Sequence, residues 1–233
     1  MPHLRFFALS ILFSVGVVTS TAAGQTIPSA YTYIEHSKEW AVFAGRTDIN
    51  PGQLGLGPQD ATAVGGRWAA AFTGSLSFEI TGTVFMATRE VHDVSRPPDD
   101  RVLGVSDINV GLLDLRLRLN LTGGRTWHGL QPFVAFGGGI AAPLSVDRTL
   151  EGVRVMPREE QFAFGTRFAG TVGGGANFFV SNKISLRLEG VMNLWKIKTP
   201  VGWLTVDNDP LGIHVPDEWV SAKSITLGAS WRF

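Results

Sequence analysis

The chain has 233 residues, carries 20 basic and 20 acidic side chains, and contains no cysteine. This length suits one domain, or two at most. The balanced charge offers no basic surplus for binding a nucleic acid, and without cysteine neither a disulfide framework nor a cysteine metal site can form. The 28 glycines and 12 prolines suit a fold with many turns rather than a disordered chain.

The first 24 residues have the pattern of a secretory signal peptide. Arg5 supplies positive charge, Phe6–Val18 is apolar, and Ala22 and Ala23 provide small residues for cleavage. The apolar stretch is shorter than the about 20 residues that a transmembrane helix needs, although an uncleaved N-terminal anchor is the alternative. We expect residues 1–24 to be removed on export and residues 25–233 to form one mature domain.

The mature sequence has the two-residue period of β-strands. From Leu113 to Leu121 every second residue is leucine, and the residues between them are polar or charged. On a strand these leucines share one face, whereas on a helix they would scatter around the axis. Similar alternation runs through 76–86, 184–194 and 224–233. No apolar run after the signal peptide could form a spanning helix, so a closed barrel is the only membrane-spanning option.

The sequence divides into eight such strands, joined alternately by short and long connections. The predicted strands are 39–48, 64–72, 75–88, 108–121, 130–141, 161–180, 183–195 and 221–233. The short connections are 73–74, 122–129 and 181–182, and the long ones are 49–63, 89–107, 142–160 and 196–220. Short turns at one end and long loops at the other are typical of bacterial transmembrane barrels. We therefore predict an all-β fold, an eight-stranded antiparallel up-and-down transmembrane β-barrel.

Three details refine this prediction. Both faces of strand 39–48 are half apolar, and the alternation in 108–121 flips near Gly111, which predicts a bulge or a strand end there. The glycine runs 137–139 and 173–175 predict bends or close backbone approaches inside strands. Four aromatic residues at strand ends predict an interfacial girdle: Trp40, Trp195, Trp231 and Phe233. Trp203 and Trp219 fall in the last long loop, where they are expected to flank a strand extension.

A water-soluble barrel is the alternative, because lipocalin-like folds also alternate but hide the apolar face inside. Alternation by itself does not say which face points inward. The alternating loop lengths, the aromatic last strand and the mid-strand charges opposite apolar faces favour the membrane barrel. Leu113–Leu121 lining the interior would instead indicate the soluble fold.

Two segments carry a resemblance to a known family. The ending Ile225-Thr-Leu-Gly-Ala-Ser-Trp-Arg-Phe233 resembles the closing strand of outer-membrane barrels, and Gln131-Pro-Phe-Val-Ala-Phe-Gly-Gly-Gly139 resembles a strand of the outer-membrane protein β-barrel domain family, relatives of the small OmpA-like barrels. The resemblance implies a Gram-negative outer-membrane location and delivery to the barrel-assembly machinery through the C-terminal strand. No periplasmic domain is expected after Phe233.

The predicted barrel interior holds the main polar set of the sequence: Arg67, Glu79, Asp114, Arg116, Arg118, Arg167, Arg187, Glu189 and Arg232. An eight-stranded barrel is just wide enough for side chains to fill it, and buried charges must pair or meet water. A structural salt-bridge network is the main expectation. The alternative is a small polar, porin-like channel that favours anions, since six arginines would face three carboxylates.

A lipid-modifying barrel enzyme is a further alternative that would need a nucleophile beside a histidine base. The candidate histidines are His36, His92, His128 and His214, and none stands in a recognisable motif. Asp207-Asn208-Asp209 lacks the rest of a calcium loop, the glycine runs lack a phosphate-loop lysine, and Asn120 opens a glycosylation sequon by pattern only. We predict no catalytic, cofactor or metal site.

The remaining candidate for function is the set of long loops, since loops on a rigid scaffold often bind partners. Loop 89–107 mixes acidic and basic residues around Pro97 and Pro98. We therefore predict a structural or surface-interaction role in the outer membrane. The expected partners are the lipid bilayer, the assembly machinery and an extracellular ligand bound through the long loops, with no nucleic acid.

Overall fold

The structure is a computed structural model that describes residues 29–34, 38–153, 156–204 and 217–233. The predicted signal segment, 1–24, lies outside these residues. The strands are β1 (Tyr31–Tyr33), β2 (Lys38–Ile49), β3 (Gln59–Ala71), β4 (Leu76–His92), β5 (Val102–Asn120), β6 (Arg125–Trp127), β7 (Leu130–Val146), β8 (Arg167–Phe179), β9 (Ile184–Lys198) and β10 (Asp217–Arg232). The described helices, Pro98–Asp100, α1 (Thr149–Val153) and Val201–Trp203, are too short to span a membrane.

The eight long strands close into one antiparallel barrel. Each long strand pairs with the next one along the chain, from β2 to β10. β10 then pairs back with β2, from Trp40 opposite Trp231 to Ile49 opposite Ala222. The ladder therefore returns to its first strand and leaves none of the eight with an open edge. The predicted eight-stranded up-and-down barrel is confirmed.

Most strands extend further toward the long-loop end than predicted. β4 runs to His92 and β7 to Val146, while β5 begins at Val102 and β10 at Asp217. The sequence pattern hides these extensions because outward positions there, such as Glu90, are polar like loop residues. Three of the long connections shorten, to 50–58, 93–101 and 199–216, whereas the fourth shifts to 147–166. The short connections are 72–75, 121–129 and 180–183. The connection 121–129 holds β6, which pairs with β1.

The predicted strand 161–180 is too long at its start, because β8 begins at Arg167. Gly165 has a positive φ of 62°, which breaks the extended backbone. The residues before it turn into the mouth of the barrel, where Phe162 and Phe164 are buried. An apolar alternation at this point thus comes from a loop that packs inward rather than from a strand.

The apolar face of the barrel points outward. On β5, Leu113 and Leu115 are 61% and 51% exposed, whereas the alternate residues Asp114 and Arg116 are buried. The last strand follows the same rule, with Ile225 and Leu227 exposed and the residues between them turned inward. The lipocalin-like alternative, which needs Leu113–Leu121 inside, is therefore wrong.

The predicted flip of alternation at Gly111 is also wrong. β5 keeps one alternation along its length, because Val110 and Leu112 are buried inside in step with Asp114. What changes at this height is the chemistry of the interior, from charged to apolar. The bulge lies on the neighbouring strand instead, where Leu144 is the extra residue between Pro143 and Ser145.

Two glycines of β7 allow a close approach to β5, as predicted for the run 137–139. A Cβ on Gly137 would collide with the backbone carbonyl oxygen of Leu115, and one on Gly139 with that of Leu113. A larger residue at either position would push the two strands apart.

Candidate functional site

The half of the interior nearest the short turns is filled by an ionic network. It joins five arginines to four carboxylates, all of them buried: Arg67, Arg116, Arg118, Arg187 and Arg232 with Glu39, Glu79, Asp114 and Glu189. The strand period places these side chains inside because, Glu39 apart, their neighbours along the chain are outward apolar residues or glycine.

Glu79 of β4 is one centre of the network. Its Oε1 accepts from Arg187 Nη1 at 2.7 Å and lies 2.8 Å from Arg118 Nη1, and its Oε2 lies 3.5 Å from Arg67 Nε. These arginines come from β9, β5 and β3. One carboxylate therefore ties together three other strands of the barrel.

Glu189 of β9 is the second centre. It accepts from Arg67 Nη2 at 2.6 Å and Arg187 Nη2 at 2.8 Å, and lies 3.5 Å from Arg116 Nη1. Arg116 Nε also donates to Asp114 at 2.6 Å. Every carboxylate of the network thus faces at least one guanidinium, which is the condition for keeping such charges inside a barrel.

Glu39 is the carboxylate at the end of the network nearest the short turns. This carboxylate accepts from Arg118 Nη1 at 2.7 Å and from Arg232 Nε at 3.4 Å. The Arg232 guanidinium also lies over the Phe179 ring, 4.1 Å from its centroid, so its charge is held by both an acid and a π face.

Eight of the nine predicted interior residues belong to the network, and Arg167 does not. Arg167 lies at the long-loop end of β8, opposite Ala141, beyond Thr171, the residue of that strand that contacts Asp114 at 3.0 Å. Glu39 is the member that sequence reasoning missed, because both faces of its strand are half apolar and no inward face could be chosen. The predicted ratio of six arginines to three carboxylates is corrected to five and four in the described residues, which leaves little preference for anions.

The half of the interior nearest the long loops is mainly apolar, with Arg89 as a buried charge at its outer end. Trp195 is fully buried there, with its ring 6.0 Å from that of Phe85 and 5.8 Å from that of Phe164. Phe162 also descends from loop 147–166 into this cluster. The prediction that Trp195 belongs to an interfacial girdle is therefore wrong, because the odd-numbered residues of β9, Trp195 among them, point inward.

The other predicted aromatic residues divide into two groups. Trp40, Trp231 and Phe233 are outward and more than half exposed, at 54%, 62% and 61%, as predicted. Trp219 lies on the upward extension of β10, 59% exposed and beside Lys196, also as expected. Trp203 is instead buried in the last loop, where its Nε1 donates to the Glu160 carbonyl at 3.2 Å.

The space left between the charged and apolar halves is small. A cavity of about 10 Å³ lies between Arg67, Phe85 and Asn193, which is the room of roughly one water molecule. At this level the interior of the described barrel is filled by side chains, which agrees with the expected salt-bridge network.

One described histidine lies beside a carboxylate. His92 Nε2 lies 3.1 Å from Glu90 Oε2 near the long-loop end of β4, and its ring packs on Trp203. This is a base with a carboxylate, but no described residue adds a nucleophile to it. His128 lies in a turn and has a φ of 50°. Its ring packs edge-on against that of Trp127. His36, His214 and the segment 207–209 lie outside the described residues.

Two other kinds of site were considered in the sequence, a metal site and a glycosylation site. Among the described residues no group of three or more histidines, aspartates and glutamates could hold a metal ion. Asn120 closes β5 at the short-turn end, as expected, and its side chain is buried inside the barrel. A glycan on that side chain would have no room.

Loop 93–101 pairs its own charges. Arg96 lies 3.1 Å from Asp100 and 3.6 Å from Asp93, and the Asp93 carboxylate also accepts from Ser95. The mixed charge of the predicted loop 89–107 is therefore largely internal. Loop 147–166 is longer, carries α1, and is anchored by a buried bond of 2.8 Å between Arg89 and Glu151.

Comparison with known proteins bears on the fold. No family model matches the chain, and no curated protein matches it. Outer membrane protein OprG of Pseudomonas aeruginosa superposes with a TM-score of 0.53 at 13% identity, over 86% of this chain and 98% of OprG. Neisserial surface protein A gives 0.53 at 13% identity, over 88% and 98%. The chain has the fold of the small eight-stranded barrels of bacterial outer membranes.

Proposed function

We propose that this protein is a closed, non-conducting barrel of the outer membrane that presents its long loops at the cell surface. The observation that carries this proposal is the packed interior, in which Arg187 and Glu79 bridge the lumen below and Trp195 fills it above. A barrel without a path through it acts as a scaffold, and loops on a rigid scaffold are where partners bind.

The proposed location is supported by the outward apolar belt. Leucines of β5 and β9, such as Leu115 and Leu188, are more than half exposed, and so large an apolar surface suits lipid rather than water. The outward Trp231 and Phe233 close the last strand, and we propose that this strand engages the barrel-assembly machinery. The role we propose is non-catalytic.

Recording from planar bilayers tests the closed barrel. The purified mature chain, reconstituted from detergent, is expected to give no reproducible unit conductance in either polarity. A trimeric porin reconstituted in the same way is the positive control for insertion. Regular conductance steps from the mature chain would favour the channel alternative and contradict the proposal.

A further inference from the structure

Loop 147–166 encloses a polar pocket that the barrel itself does not need. The pocket has a volume of about 580 Å³ and opens between α1 and residues 158–163. Its lining is Arg148, Glu151, Gly152, Arg158, Gln161 and Ala163. This size lies in the range of pockets that hold small molecules, and the pocket faces the loop end of the barrel rather than the apolar belt.

Glu151 lies at the base of the pocket and has one unused oxygen. The side chain is 2% exposed, and its Oε1 accepts from Arg89 at 2.8 Å. Its Oε2 is buried without a hydrogen-bond partner, 4.0 Å from Arg148 Nη1. A carboxylate oxygen without a donor keeps its capacity to accept a hydrogen bond, and Glu151 lines the pocket. A hydroxyl or N–H group of a ligand is therefore the partner that we infer for it.

Two arginines flank this acceptor. Arg148 is half exposed, and its Nη1 donates to Gln161 Oε1 at 2.8 Å. Gln161 is itself fixed, because its Nε2 donates to the Met156 carbonyl at 2.8 Å. The bond to Gln161 uses one of the five N–H donors of the guanidinium, and Arg158 is exposed and lines the same pocket.

The combination of groups restricts the ligand. Two guanidiniums attract carboxylate or sulfate groups, but a bare anion has no donor for the free oxygen of Glu151 at the base. A ligand that suits all three residues carries both an anionic group and a hydrogen-bond donor beside it. A sugar ring with a carboxylate or sulfate substituent has this arrangement, since its hydroxyls donate while its acid accepts.

We propose that the pocket of loop 147–166 binds an acidic saccharide, with its anionic group on Arg148 and Arg158 and a hydroxyl donating to Glu151 Oε2. The inference rests on the proposed function to the extent that it places this loop outside the cell. The acid could be a uronic carboxylate or a sulfate, and the two sources are separated by the choice of probe.

Calorimetric titration of the detergent-solubilised full mature chain tests the proposal. The probes are a hyaluronan tetrasaccharide, which carries carboxylates, a heparin-derived tetrasaccharide, which carries sulfates, and neutral maltotetraose. At least one acidic probe is expected to bind, more weakly as salt rises, and maltotetraose is expected not to bind. Failure of both acidic probes to bind overturns the proposal.

Variants locate the binding. Arg148→Gln together with Arg158→Gln should weaken the acidic probe at least tenfold, whereas Arg125→Gln, an exposed arginine at the opposite end of the barrel, should leave it unchanged. Equal affinity in the double variant and the native chain overturns the proposal.

Glu151→Gln tells whether Glu151 accepts a hydrogen bond from the ligand or only repels its anionic group. If a hydroxyl donates to Glu151, the variant binds the acidic probe several-fold more weakly, and tighter binding overturns the saccharide assignment. Should this variant fail to fold because Arg89 loses its partner, the arginine pair still decides. A barrel that gives no conductance and binds no acidic probe contradicts this inference alone. A conducting barrel contradicts the proposed function alone.

Discussion

Arg187 and Glu79 reach toward each other from opposite sides of the barrel. Arg187 projects from β9 and Glu79 from β4, four strands apart in either direction around the closed ladder. The guanidinium donates two hydrogen bonds to the carboxylate, Nη1 to Oε1 at 2.7 Å and Nη2 to Oε2 at 3.3 Å. The Phe133 ring lies 3.9 Å from the same guanidinium. This bridge crosses the lumen.

Replacing Glu79 by glutamine should destabilise the barrel by about 3–5 kcal/mol, the usual cost of removing one partner of a buried ion pair. The cost arises because Arg187, Arg118 and Arg67 all lose part of their counter-charge. Urea unfolding in lipid vesicles, followed by tryptophan fluorescence, measures it. Glu90→Gln, at a partly exposed site near the loop end, is the control and should change the midpoint little. Equal midpoints for both variants would contradict the network.

Trp195→Ala tests the apolar half of the interior. Removing a fully buried tryptophan costs about 3–5 kcal/mol, because Phe85 and Phe164 then face a cavity. Trp219→Ala loses only an exposed ring beside Lys196, worth about 0.5–1 kcal/mol. The two free energies of unfolding should therefore differ severalfold. A smaller loss in Trp195→Ala than in Trp219→Ala would place Trp195 outside the core.

Gly137→Ala tests the close approach of β7 and β5. Its Cβ would collide with the Leu115 carbonyl oxygen, and overpacking of this kind costs about 1–3 kcal/mol. Gly170→Ala is a matched control on β8, because a Cβ there meets nothing within 4 Å. The urea midpoint should fall for the first variant and stay for the second.

The sequence predicted the barrel well for physical reasons that the same residues make clear. Alternation over Leu113–Leu121 records a boundary between lipid and a polar interior, and that contrast needs no tertiary information. Where the interior itself becomes apolar, at Leu112 and Trp195, the contrast disappears and alternation no longer tells inside from outside. The false flip at Gly111 and the misplaced Trp195 have this one cause.

The candidate site was less predictable. The pocket of loop 147–166 depends on the bond between Arg89 and Glu151, residues that are 62 positions apart. No local pattern signals such a contact. Arg89 lies in what the sequence showed only as a charged loop, and its burial becomes visible once β4 is known to continue to His92.

The stability of loop 147–166 should depend on pH through Glu160. Burial, followed by the nearby carboxylates of Asp93 and Glu159, raises the pKa of Glu160 above its ordinary value. The folded loop therefore binds this proton more tightly than the unfolded loop does. Its stability is greatest below the ordinary pKa and declines as the pH rises through the raised pKa.

Hydrogen exchange of the Trp203 indole N–H reports on this loop, because that group donates to the Glu160 carbonyl. Exchange should accelerate, relative to Glu160→Gln at the same pH, as Glu160 ionises. Taking the ratio of the two proteins removes the intrinsic pH dependence of exchange. A constant ratio across the acidic range would show that Glu160 is not linked to loop stability.

Site-directed labelling on cells tests the central claim, a barrel in the outer membrane with its long loops outside. The chain has no cysteine, so Asp99→Cys in loop 93–101 and Asn182→Cys in turn 180–183 each introduce a single thiol at an exposed position. A membrane-impermeant maleimide should label Asp99→Cys on intact cells, and Asn182→Cys only after the outer membrane is broken. Labelling of Asn182→Cys on intact cells, or protection of Asp99→Cys, would contradict the claim.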